Sequence, residues 1–315
     1  MKEPSVTVLI AVKNNVMTIK DCIDSLLNQD YKNYEIFVVD AFSTDGTYEI
    51  LKKFGKRIKL YQLKGWVPAA YNWAIDNIET EYIALLDGDC TVTNNWLKEL
   101  IKGFKSEDIL EVLGFCATPK NVSKVQKLIG EDLEDRFNHL PEYPSRAPTM
   151  NVAFKTKTIR SLRFDESLRV AYDTDFSFRL TKIGKIYYNP KAVIYHHHRA
   201  TLKAFFSQQY RYGKFMPLVY LKKHRDRIGG DEMSKSIFLF QIIILYIASL
   251  SLLFSFVNIL ITYFSVSIFT ILFLVYLISA IKLSRNILDI IYLMLIFLTR
   301  NIAWCLGIAV GVFLI

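Results

Sequence analysis

Cysteine is scarce in this 315-residue chain: Cys22, Cys90, Cys116 and Cys305 stand far apart. Their spacing offers neither a disulfide framework nor a paired-cysteine metal site, and reduced cytoplasmic thiols are expected. With 13 glycines and 8 prolines, a collagen-like or low-complexity chain is excluded. Acidic charge is also short, 30 Asp+Glu against 39 Lys+Arg, for a formal charge of +9. Charge of either sign nearly vanishes in residues 237–315, which hold only Lys282, Arg285, Asp289 and Arg300. The first 236 residues keep 36 basic and 29 acidic side chains, an ordinary soluble composition. The apolar tail speaks against an all-soluble chain, and the first part against a disordered one. About 236 residues suffice for one large α/β domain with its own core.

Ile237 to Ile281 contains no charged side chain. A bilayer core needs about 20 apolar residues per helix. Two spans joined by a tight turn are therefore expected, with the turn at Asn258 or around Thr262–Tyr263. Lys222, Lys223, Arg225, Arg227 and Lys235 flank one side, and Lys282 and Arg285 the other. Both flanks of a hairpin face the same side, and positive flanks stay cytoplasmic. The N-terminal domain is thus expected in the cytoplasm of a multi-pass membrane protein. Residues 287–315, interrupted by Asp289 and Arg300, read as a third span with Arg300 near its cytoplasmic end, or as an interfacial helix followed by a last span. Met1-Lys-Glu-Pro leads straight into a β-branched run, so no leader peptide is expected. Asn121-Val-Ser123 has the form of a glycosylation sequon, idle in a cytoplasmic domain.

The soluble part alternates strand and helix signals. Val6–Val12 is a continuous apolar run of the kind buried on both faces of a sheet. Met17–Asn28 carries apolar residues at helical spacing. Glu35–Asp40, Ile58–Leu63 and Tyr82–Leu86 read as strands, Thr47–Phe54 and Ala69–Ile78 as helices. This βαβα order implies a mostly parallel sheet with right-handed crossovers, whose ligands sit beyond the carboxyl ends of the strands. Lys13-Asn14-Asn15, Asp40 and Asp87-Gly88-Asp89 stand at those ends. Asp45-Gly46-Thr47 reads mainly as a turn and helix cap. Asp87-Gly88-Asp89 is different: two carboxylates flanking a glycine repel each other unless a hard divalent cation joins them.

With these residues in place, the sequence resembles glycosyltransferase family 2, with the GT-A fold, over roughly Ser5 to Gly213. The resemblance rests on VVDAFSTDGT (Val38–Thr47), Gly65-x-x-x-Ala69-x-x-Asn72, LLDGDC (Leu85–Cys90), Asn151, FDESL with YDTDFSFRL (Phe164–Leu168 and Tyr172–Leu180), Pro190-x-Ala192-x-x-x-His196, and QQYRYG (Gln208–Gly213). It implies a nucleotide-diphospho-sugar transferase domain with a Rossmann-like mixed sheet, followed by an all-α transmembrane region of two or three helices. The expected division is 1–220 catalytic, 221–236 basic linker and 237–315 transmembrane.

The resemblance also implies roles. Asp40 would bind the nucleobase or ribose, Asp87 the ribose or the metal, and Asp89 the Mg2+ or Mn2+ that bridges the phosphates. Ala11, Lys13, Gly88 and Arg211 would complete the donor site, and His196 would be a third metal ligand or a diphosphate contact. Where the family has an acidic residue after the first strand, this chain has Lys13-Asn14-Asn15. Where the family carries a Glu-Asp pair, this chain has Tyr172-Asp173. Asp173 is the expected general base, with Asp175 behind it; helix capping is the plainer role for Asp173. Gln208-x-x-Arg211-Tyr212 looks like a shortened Q-x-x-R-W signature. The helix expected over Leu202–Leu221 would rest on the membrane through Phe205, Phe206, Tyr210, Tyr212, Phe215 and Leu218, with Lys203 and Lys214 at the headgroups. The loop expected over Glu131–Pro148 would shape the acceptor pocket.

The reading that follows is a membrane-bound, metal-dependent, inverting glycosyltransferase. Its donor is a nucleotide sugar and its acceptor a lipid-linked sugar or surface glycan. A processive polysaccharide synthase and a non-catalytic membrane scaffold are the alternatives. Few spans and Tyr212 in place of Trp argue against the first, and the retained Asp40, Asp87, Asp89 and Asp173 against the second. The basic cluster Lys222–Arg227 suits anionic membrane lipids rather than nucleic acid.

Overall fold

A computed structural model of the chain describes residues 3–227, 230–234 and 236–314; Met1-Lys2 and Lys235, named above, lie outside them. In chain order the elements are β1 Val6–Val12, α1 Ile19–Leu27, β2 Tyr34–Asp40, α2 Thr47–Lys52, β3 Lys59–Gln62, α3 Val67–Asp76, β4 Tyr82–Leu86, β5 Cys90–Val92, α4 Trp96–Lys102, β6 Ile109–Ala117, α5 Lys124–Asn138, β7 Asn151–Lys155, α6 Thr156–Leu162, α7 Tyr172–Leu180, β8 Lys185–His196, α8 Leu202–Pro217, α9 Ser236–Leu253, α10 Ile259–Leu283 and α11 Ile287–Gly311. They form two compact units: Met1–Pro119 with Phe137–His197, and Lys120–Arg136 with His198–Ile315.

The first unit is built on one eight-stranded sheet in the order β3-β2-β1-β4-β7-β6-β8-β5. Strands β1, β2, β3 and β4 pair in parallel, as the βαβα pattern dictates. Further on the sheet is mixed, because β7 runs antiparallel to both β4 and β6. The parallel expectation thus holds for β1 to β4 and again between β6 and β8, while β7 and β5 run antiparallel to their neighbours. Val6, Val8, Leu9 and Ile10 are fully buried, as expected of a strand covered on both faces. From β1 the chain moves to β2 and β3 on one side and later to β4 on the other. The carboxyl ends of β1 and β4 therefore flank the point where strand order reverses, where such sheets open a crevice.

Two family-like asparagines serve this unit as clamps. Asn72 on α3 donates to the Phe164 carbonyl and to Glu166, and accepts from the Phe164 amide at 3.0 Å, which fixes the segment leading to α7. Asn151, fully buried on β7, accepts from Trp96 Nε1 at 2.7 Å and donates to the carbonyls of Phe115 and Ala192. It bridges β6 and β8 where their register slips.

The second unit is helical. Ser123 and Gln126 form a reciprocal cap at the start of α5, so Ser123 acts as a capping residue within the sequon-like triplet. Helix α5 runs through Asn138, so the expected loop from Glu131 is helical in its first part. Ion pairs join α5 to the region of α11, among them Lys124 with Asp289, Glu131 with Arg285 at 3.5 Å, and Asp132 with Arg300 at 3.1 Å. The charges interrupting the apolar tail thus face protein partners, as isolated charges in such helices must. Residues 287–311 form one uninterrupted helix, and Arg300 stands mid-way along it rather than near an end.

Helix α8 lies close against α11. A Cβ on Gly213 would meet the Trp304 carbonyl at 2.7 Å, and Cβ atoms on Gly307 and Gly311 would run into the backbone of Tyr210 and Lys214. Small residues four apart permit this approach. Phe205, expected on the membrane, is instead buried with Leu128 and Ile296. The α-helical part of α8 ends at Pro217, short of Leu221.

The chain turns between α9 and α10 at residues 254–258, and Asn258 caps α10 by accepting from the Leu260 amide at 2.8 Å. Thr262 and Tyr263 lie inside α10, not in the turn. Helices α10 and α11 are each long and apolar enough to cross a membrane; α9 is apolar but shorter.

Candidate functional site

The site occupies the carboxyl edge of the parallel strands in the first unit. Asp40 ends β2 and is fully buried. Its Oδ2 accepts from the Ser43 amide at 3.1 Å and from Gln62 Nε2 at 2.9 Å. Its Oδ1 is buried with no hydrogen-bond partner. A buried carboxylate oxygen left open is costly, and a donor group on a ligand would satisfy it.

Ala11, half-buried, and Val12 end β1, and Lys13 follows them, exposed. The next residues brace the edge. Asn14 adopts φ 56°, donates its amide to Ser43 Oγ at 2.9 Å and accepts from the Thr44 amide at 2.9 Å. Asp45 accepts from the amides of Val16 and Thr47 and from the Thr47 hydroxyl. Asp45 therefore ties two loops together, as a turn former should. The hydrogen bonds outweigh desolvation and hold its carboxyl below the usual value.

Asp87-Gly88-Asp89 turns between β4 and β5, with the Cys90 amide donating to the Asp87 carbonyl at 3.1 Å. Gly88 is packed tightly: a Cβ there would meet Val12 Cγ2 at 3.2 Å. Its carbonyl accepts from the Thr18 hydroxyl at 2.9 Å. Across the turn, β5 pairs with the end of β8, setting Cys90 opposite His196. That pairing brings His196 Nε2 to 3.3 Å from Asp89 Oδ1. The His197 amide donates to the Asp89 carbonyl at 2.9 Å and fixes the corner. Burial opposes protonation of His196, but the charge and hydrogen bond of Asp89, with help from Cys116, raise its pKa well above the imidazole value. Asp89, Cys90 and His196 have ligand atoms within 4.8 Å of one another; Asp87 is not part of that group. Burial, with the nearby aspartates, drives the Cys90 thiol pKa far up; Asp89 and His196 contribute a carboxylate and an imidazole to the group.

Asp173 lies in the first turn of α7. The N-cap is Ala171, in the left-handed region at φ 63°, so Asp173 does not cap the helix; it accepts from the Thr174 amide at 2.7 Å. Asp175 is buried and held by Arg179, whose Nε donates to it at 3.0 Å. Arg179 in turn donates to the carbonyls of Leu162 and Arg163, which ties α7 to the end of α6. Arg211 is exposed on α8, in the second unit.

The sequence reading missed two residues here. Tyr71, fully buried on α3 beside Asn72, has its pKa raised by burial, by Tyr172, and by the charges of both Asp87 and Asp173. Its hydroxyl therefore stands within electrostatic reach of both carboxylates, and its ring lies 6.2 Å from that of Tyr172. The second is Glu111, buried on β6 with Oε2 unpartnered. Burial, then the charge of Asp173, raises its pKa well above the carboxylate range. One signal was available: Glu111 is the single charge in the run ILEVLGFCA.

The model of the family described as glycosyl transferase family 2 matches residues 7–168. The chain belongs to glycosyltransferase family 2. Among curated relatives of this family member is an uncharacterized glycosyltransferase of Rickettsia typhi, 28% identical over 200 residues, 61% of this chain and 63% of that protein. The match spans just under two thirds of that relative. A dolichyl N-acetyl-alpha-D-glucosaminyl phosphate 3-beta-D-2,3-diacetamido-2,3-dideoxy-beta-D-glucuronosyltransferase of Methanococcus voltae is 25% identical over 243 residues, 69% of this chain and 74% of that one. In fold, the chain is similar to a mannosyltransferase of Pyrobaculum calidifontis solved in complex with GDP-Man and Mn2+, with TM-score 0.57 at 18% identity, over 71% of this chain and 65% of that one. The glycosyltransferase has the GT-A fold followed by C-terminal helices.

Proposed function

We propose that this family 2 member is a membrane-bound, metal-dependent, inverting glycosyltransferase that moves a sugar from a nucleotide-sugar donor to a lipid-linked or glycan acceptor. The observation that carries this is the proximity of Asp89 to His196, with Tyr71 sensing both Asp87 and Asp173. One carboxylate–imidazole pair and a separate carboxylate then serve one edge of the sheet.

In this reading the open Oδ1 of Asp40 receives a donor group of the nucleoside, and Ala11, Lys13, Asp87 and Gly88 line the rest of the donor site. Asp89 and His196 hold Mg2+ or Mn2+; a mixed oxygen and nitrogen set favours Mn2+. Such a cation, when bound, neutralises charge on the departing diphosphate. Asp173 takes the proton from the acceptor hydroxyl. The hydroxyl oxygen bonds to the anomeric carbon as its bond to the diphosphate oxygen breaks, and the electron pair leaves with the diphosphate. One displacement inverts the configuration. A diphosphate contact for Arg211 rests on the family resemblance alone. The apolar helices α9, α10 and α11, with the basic cluster Lys222–Arg227 before them, support membrane attachment with the sheet unit on the cytoplasmic side. This reading keeps residues 1–220 as the catalytic region, 221–236 as a basic linker and 237–315 as the membrane region.

The deciding experiment incubates purified full-length protein with Mn2+ or Mg2+ and a panel of nucleotide sugars, scoring thermal shift and hydrolysis. A shift with one nucleotide class, lost on chelation, is expected. No response to any nucleotide sugar with either metal would overturn the proposal.

A further inference from the structure

The helical unit contains a cavity of about 220 Å3 that the reading above does not use. Its walls come from α5, the start of α9, the end of α10 and the middle of α11. The apolar side includes Phe238, Phe297 and Leu283. The polar side carries three cations, Arg136, Arg300 and Lys282, against two acids, Asp132 and Asp135.

The cations are arranged for an anion. Asp132 already binds both guanidinium groups, Arg136 one turn away on α5 and Arg300 on α11. Arg300 is further fixed between rings, 4.8 Å from the Phe238 centroid and 5.1 Å from that of Phe297. A guanidinium held this way offers its remaining N–H groups in a set direction, the geometry that suits phosphate oxygens. Lys282 is exposed at the end of α10 and, among the described residues, makes no ion pair. It supplies the surplus charge. An inorganic anion would use the cations but leave the half-buried Phe238 and Leu283 uncovered at the cavity wall. A phosphate carrying a hydrocarbon chain would cover both.

We infer that this cavity, formed by Arg136, Arg300 and Lys282 beside Phe238 and Phe297, binds the phosphate of an anionic lipid. The inference rests on the membrane-bound reading proposed above. It assigns the second unit a ligand of its own, distinct from the nucleotide sugar. The ligand's phosphate sits among the three cations and its first carbons lie against the apolar wall.

The test uses full-length protein in a neutral detergent. Dihexanoyl phosphatidic acid is titrated by native mass spectrometry, beside dihexanoylglycerol and inorganic phosphate. Tight binding of the phosphatidic acid alone is expected. Lys282→Gln and Arg136→Gln should each weaken it about fivefold. Lys282 is exposed and unpaired, so its variant keeps the wild-type melting temperature and the result reads on the site. Equal affinity of both variants and wild type would overturn the inference, as would equal binding of dihexanoylglycerol or of inorganic phosphate. Flotation of the wild type with phosphatidylglycerol vesicles separates the two proposals. Flotation with unchanged variant affinities sinks the cavity alone, and failure to float sinks the membrane reading with it.

Discussion

His196 Nε2 lies 3.3 Å from Asp89 Oδ1, and the contact is set by backbone pairing: β5 and β8 run antiparallel with Cys90 opposite His196. A side chain placed by a sheet register is held more rigidly than one on a free loop. The Asp87-Gly88-Asp89 turn is thereby locked against the last strand of the sheet, and the imidazole of Pro190-x-Ala192-x-x-x-His196 has a fixed position.

Removal of either partner should weaken metal use. His196→Gln is expected to cost about 10- to 100-fold in Mn2+ affinity, and Asp89→Ala to abolish metal-dependent turnover. Mn2+ titrations of nucleotide-sugar turnover measure both. Full activity in Asp89→Ala would remove the metal role.

Asp173→Asn should leave nucleotide-sugar binding near the wild-type value while transfer falls by about 10²- to 10⁴-fold. Calorimetric donor binding beside single-turnover transfer separates the effects. Transfer that survives intact places the base on another residue.

Glu111→Gln should change how stability depends on pH. The folded-state pKa of Glu111 is raised by burial and by Asp173, so folding takes up a proton once the unfolded carboxyl is ionised. The stability this group contributes is present below the ordinary carboxylate value. It is lost progressively as pH climbs toward the raised folded-state value. Glutamine has no such linkage. Melting temperatures of the two proteins across pH 4 to 9 should therefore favour the variant increasingly at the alkaline end. A constant difference would show that Glu111 is not buried as a neutral acid.

Asn151→Ala should be severe. It leaves the Trp96 indole N–H and the carbonyls of Phe115 and Ala192 without their partner, at a cost of about 3 kcal/mol or more. A melting temperature within a degree of wild type would mean that water replaces the amide.

Gly311→Leu should loosen the helical unit, since the added side chain meets the Lys214 backbone on α8. A loss of about 1–3 kcal/mol is expected from overpacking, read as a lowered thermal midpoint in detergent. An unchanged midpoint would mean that α8 and α11 separate freely.

Much of this protein was legible in one dimension. The run Val6–Val12 and the strand Tyr82–Leu86 declare themselves because a strand buried on both faces must be apolar at every position. Asp40 and Asp87-Gly88-Asp89 are visible because they follow such runs. The uncharged stretch 237–281 forms apolar helices in whatever solvent hides them. Tertiary structure decided the rest. Asn72 and Asn151 belong to the same motifs, yet their amides are spent on backbone clamps. Asp289 and Arg300 looked like breaks in a span until α5 supplied Lys124 and Asp132 as partners. Tyr71 and Glu111 carried almost no signal, because a side chain's electrostatic role depends on which charges the fold brings near it. Hydrophobic periodicity is written locally along the chain, whereas ion pairs, buried hydrogen bonds and shifted pKa values exist only once distant segments meet.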